Sequence, residues 1–66
     1  MMELILNADV YSSKVIEAAI LAYNSLATIT VRQKDRQIQF VFDNCRFDPS
    51  ITIKEFENYL IGLENS

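Results

Sequence analysis

Ala27–Asp43, ATITVRQKDRQIQFVFD, consists of two apolar alternations separated by a short charged turn. Ala27, Ile29 and Val31 alternate with Thr28, Thr30 and Arg32. After the turn, Ile38, Phe40 and Phe42 alternate with Gln37, Gln39 and Val41. A period of two marks a half-buried strand, so the stretch predicts an antiparallel hairpin of Ala27–Gln33 and Gln37–Asp43. Centring the turn on Lys34-Asp35 pairs Val31 with Ile38, Ile29 with Phe40 and Ala27 with Phe42. A four-residue loop, Gln33–Arg36, gives the same register. An odd loop without a bulge would turn one apolar set to solvent, so the register demands an even one. The turn carries no Gly or Asn, and its type stays open.

The flanking segments supply the other elements. Met2–Leu6 reads as a first strand, with Met2, Leu4 and Leu6 on one face and Glu3 and Ile5 on the other. Asn7–Asp9 connects it to a helix capped by Ser12, with Tyr11 and Ile16 placed as a hydrophobic staple. That helix runs to about Ser25 and is apolar nearly all round, with Leu21 among polar residues. After the hairpin, Asn44–Ser50 is a loop, and Asp48-Pro49-Ser50 reads as a turn. Thr52-Ile53-Lys54-Glu55 has the form of a capping box, with Ile51 and Phe56 as a second staple. The second helix therefore starts after Thr52 and buries Ile53, Phe56, Tyr59, Leu60 and Leu63, while Ile61 falls on its polar side. Gly62 sits where it loosens or ends the last turn.

The order β-α-β-β-α implies one α+β domain over residues 1–66. The first two strands run parallel through a right-handed helical crossover, the third lies between them, and both helices cover one face. This is a three-stranded sheet of order 1-3-2, a ferredoxin-like split βαβ lacking the last strand. The first strand then has an unpaired edge, a template for strand addition.

Composition bounds the function. The chain has 66 residues, of which 50% are hydrophobic, so it folds, but with a core near the lower size limit for independent stability. Self-association or a partner subunit is a reasonable expectation. The net charge is −3 and the basic residues are scattered, without the concentrated positive footprint that nucleic acid requires. The longest apolar run, Ala18–Tyr23, is too short to span a bilayer, and Met1–Leu6 carries Glu3 and lacks the basic flank of a signal peptide. The lone Cys45 allows no internal disulfide and suits a reducing cytoplasm.

Catalytic chemistry finds little support. The chain has no histidine, so Cys45 cannot form a Cys–His pair. The lone Gly62 excludes the usual glycine-rich phosphate cradle. Asp43–Asp48 brings two carboxylates and an amide but lacks the alternation, glycine and terminal Glu of a calcium loop. No catalytic, cofactor or metal residue is expected. Exposed apolar residues are the better lead: Leu21 and Ile61 on the helices, and a small spot of Ile5 and Val41 on an uncovered sheet face otherwise made of Glu3, Thr28, Thr30, Arg32, Gln37 and Gln39.

Val10-Tyr11-Ser12 followed by Ile16, Ala19 and Tyr23, then a hairpin, then Glu55-Phe56-Glu57-Asn58-Tyr59-Leu60, resembles the HxsD family, small proteins of the His-Xaa-Ser system. The resemblance spans about Leu4 to Leu63. It implies an accessory protein encoded beside radical-SAM proteins and a His-Xaa-Ser repeat protein, with no assigned catalytic residues. The expectation is a non-catalytic accessory or adaptor domain that binds a protein or peptide partner, a radical-SAM protein or repeat peptide among them. The expected contact residues are Glu3, Leu4, Ile5 and Leu6 of the first strand's edge, or the helix surface at Leu21 and Ile61. The alternatives are a structural homodimer and, more weakly, a small-ligand regulatory domain.

Overall fold

A computed structural model describes residues 2–66. The elements are β1 (Met2–Asn7), α1 (Ser13–Tyr23), β2 (Thr28–Lys34), β3 (Gln37–Asp43) and α2 (Pro49–Glu64). The sheet has the order β1-β3-β2, with β3 antiparallel to both neighbours, so β1 and β2 run parallel. The expected α+β architecture and strand order are the observed ones.

One face of the sheet carries the core. Ile38, Phe40 and Phe42 are buried on β3, with Leu4, Leu6 and Ile29 packed beside them on its neighbours. Ala19 of α1 and Phe56 and Leu60 of α2 close over this face and are fully buried. Phe56 is the centre of the packing. Its ring lies 5.2 Å from Phe40, 5.2 Å from Phe42 and 5.5 Å from Tyr23 of α1. All three contacts are edge-on, the arrangement that aromatic quadrupoles favour. Tyr23 also meets Tyr59 at 5.7 Å, and burial raises the pKa of its phenol, with Glu55 and then Tyr59 adding to the rise.

The hairpin register departs from expectation. Lys34 opposes Gln37, Val31 opposes Phe40 and Ile29 opposes Phe42. The loop is two residues, but it is centred on Asp35-Arg36, one position later than expected, which shifts the pairing by two residues. Parity is kept, so the apolar faces still coincide. Asp35 explains the shift, because it has φ 56°. A short polar side chain tolerates the left-handed region better than Lys34 would.

The second helix also starts earlier than expected. Asp48 is its N-cap: the carboxylate accepts from the Ser50 N–H at 2.9 Å and the Ser50 hydroxyl at 2.7 Å. Those bonds hold the Asp48 pKa below the usual carboxylate value. Pro49 follows in the first helical turn, where its missing N–H costs nothing. Asp48-Pro49-Ser50 is therefore a helix start and not a turn. Thr52 lies inside the helix, where its hydroxyl donates to the Asp48 C=O at 3.0 Å. Tyr59, expected in the core, is 40% exposed. Gly62 does not end the helix, which continues to Glu64.

Ser12 caps α1 as expected, accepting from the Val15 N–H at 3.3 Å. Glu64 adds a tie that the local pattern does not reveal. Its carboxylate accepts from the Ser12 N–H at 2.7 Å, fixing the end of α2 to the start of α1 with a negative charge where the helix dipole favours one.

Candidate functional site

The backbone hydrogen bonding of the two outer strands follows from the register. In a two-residue hairpin the residues flanking the turn exchange both hydrogen bonds, and here these are Lys34 and Gln37. Alternation along β2 then turns the N–H and C=O of Thr28, Thr30 and Arg32 towards β3. The same groups of Ile29, Val31 and Gln33 point outward. Outside the β2–β3 ladder, no hydrogen bond among the described residues reaches Thr28–Lys34. Three consecutive alternate residues thus offer both backbone groups to solvent.

On β1 the same counting leaves Glu3, Ile5 and Asn7 facing outward, because Leu6, Leu4 and Met2 oppose Ile38, Phe40 and Phe42. Asn7 is already engaged: its C=O accepts from the Val10 N–H at 3.2 Å, and its side chain accepts from the Asp9 N–H at 2.8 Å. The open part of the β1 edge is therefore Glu3 and Ile5. Of the four residues expected to form this contact, Leu4 and Leu6 pack into the core and contribute no outward side chain. Glu3 and Ile5 are exposed, Ile5 to 54%.

The two edges also differ in cover. In β2 every residue except Ile29 is exposed, including Val31 on the helix-covered side. The charge on β2 is one-sided. Arg32 and Lys34 sit on the open face across from Gln39 and Gln37. Among the described residues the one ion pair is Arg36–Asp9, at 4.0 Å and highly exposed, so Arg32 and Lys34 have no carboxylate in salt-bridge reach. Glu3 and Asp43 lie on this face away from Lys34 and, beyond salt-bridge distance of Arg32, line with it, Thr30, Gln39 and Val41 an open depression of about 290 Å³. Its lining is a solvated sheet surface and does not enclose a ligand.

Leu21 and Ile61 are exposed as expected, to 75% and 42%, but they do not share a patch. Tyr23 and Tyr59 mark the sides of α1 and α2 that face each other. Leu21 lies two residues from Tyr23 and Ile61 two residues from Tyr59, about 200° round each helix. Each points away from the helix–helix contact. Phe47, in the loop before α2, is 64% exposed.

Cys45 is half-buried and packs against the core. Among the described residues no group of His, Cys, Asp or Glu is arranged to hold a metal ion, and no helix is long and apolar enough to cross a membrane. Comparison with protein-family models, with curated proteins and with solved structures returned no match.

The β2 edge is what sequence reasoning missed. The signal is present in the cations at Arg32, Lys34 and Arg36, which count among the scattered basic residues until register puts Arg32 and Lys34 on one face of an outer strand.

Proposed function

We propose that this chain is a non-catalytic accessory domain that binds a protein or peptide partner by adding a strand to its sheet. The observation that carries this reading is the pair of unpaired edges. Among the described residues, the outward backbone groups of Glu3 and Ile5 on β1 and of Ile29, Val31 and Gln33 on β2 have no intramolecular partner, and edge pairing supplies affinity through the main chain while alternate side chains supply selectivity. On this reading, and by the chain's resemblance to the HxsD family, the partner is a radical-SAM protein or a repeat peptide of a peptide-modification system in the cytoplasm.

A proline at an outward-facing position tests the reading without breaking the internal ladder. Ile5→Pro blocks β1 and Val31→Pro blocks β2. In a reconstitution with a radical-SAM protein of a His-Xaa-Ser system, at least one of these folded variants is expected to lose binding. Undiminished binding by the variant with both prolines, with its fold verified by circular dichroism, overturns strand addition.

A structural homodimer is the second reading, favoured by the exposed apolar side chains Leu21, Phe47, Val10 and Ile5 on so small a domain. Light scattering across a dilution series decides it, and a mass that stays monomeric removes it.

A further inference from the structure

Charge and register on the outer hairpin strand say more about what would pair there. An added strand places its side chains in the same alternation as β2, so residues beside Arg32 and Lys34 share the open face and the residue beside Val31 shares the helix side. Arg32 and Lys34 are exposed and lack a carboxylate partner, and Val31, just before Arg32, is 37% exposed. Half of the six basic residues of a chain with net charge −3 lie within Arg32–Arg36. A second copy of β2 paired antiparallel about Val31 would set Arg32 opposite Thr30 and Lys34 opposite Thr28, so it brings no carboxylate of its own strand beside either cation.

We infer that the β2 edge takes an extended acidic peptide as a fourth strand, with carboxylates at alternate positions beside Arg32 and Lys34 and an apolar side chain beside Val31. This rests on the strand-addition reading and specifies the edge and the chemistry of its occupant. The net negative charge of the domain repels such a peptide elsewhere, so the attraction is local to the hairpin.

The test uses three fluorescein-labelled peptides as long as β2, 7 residues, alternating Val with Glu, with Gln or with Lys. Anisotropy is expected to show the Glu peptide binding about threefold to tenfold more tightly than the Gln peptide, with the advantage shrinking at high salt. Arg32→Glu with Lys34→Glu, both surface changes, is expected to reverse the preference towards the Lys peptide. Val31→Pro is expected to abolish binding. Equal binding of Glu and Gln peptides overturns the acidic specificity, and loss of binding in Ile5→Pro but not in Val31→Pro overturns the assignment to the β2 edge, while both keep strand addition. Concentration-dependent dimerisation that Val31→Pro abolishes makes a second copy the occupant and overturns the inference. Failure of all three peptides to bind overturns both the inference and generic strand addition.

Discussion

At the scale of the residue, Phe56 holds most of the structure together. It is fully buried and touches β3 and α1 at once. Truncating a buried Phe to Ala costs about 3–5 kcal/mol, while a domain of 66 residues has a total of roughly 3–10 kcal/mol. Phe56→Ala is therefore expected to remove roughly half of the stability, read as a large fall in the urea midpoint. Gly62 is the opposite case. It lies in an exposed turn of α2 where an added Cβ meets nothing within 4 Å, so Gly62→Ala is expected to stabilise by about 0.5–1 kcal/mol. Asp48 brings pH dependence. Its folded pKa is lowered, mainly by the Ser50 bonds, so its contribution is present above the unfolded carboxylate pKa and is lost as pH falls through the folded value. The urea midpoint of Asp48→Ala should lie below that of the parent at neutral pH, with the gap narrowing as the solution is acidified.

At the scale of the element, the sequence carried parity better than phase. The alternations around Ile29 and Phe40 fixed which face of each strand is buried, because a slip of one residue reverses it. A slip of two keeps both apolar faces together, and only the preference of Asp35 for positive φ separates the observed register from the expected one. The start of α2 was misplaced for a related reason. Two capping signals lie four residues apart, at Asp48 and Thr52. Asp48 with Pro49 wins by adding a further turn and satisfying Ser50, and Thr52 becomes buried inside the helix. The capping of α1 by Ser12 was legible because nothing nearby competes with it. Its tie to Glu64 was not, since it joins residues 52 apart. On the helix surfaces, Leu21→Glu and Ile61→Glu should each change stability by no more than about 0.5 kcal/mol, the ordinary range for exposed positions. Because they face different ways, each is expected to act alone in any assembly assay, giving additive effects in the double variant.

For the molecule as a whole, the missing fourth strand of a ferredoxin-like sheet directs attention to β1, yet the structure makes β2 the more available edge. The engaged C=O of Asn7 shortens the open run on β1, whereas the outward positions of β2 extend over Ile29, Val31 and Gln33. That difference depends on pairing across the sheet, which local periodicity does not contain. It is also directly measurable. Amide hydrogen exchange of the dilute monomer, resolved by residue in NMR spectra, should show fast exchange at Ile29, Val31 and Gln33 alternating with protection at Thr30 and Arg32. Slow exchange at all five amides, unchanged on dilution, would mean that the β2 edge is already covered and would remove the basis for adding a strand there.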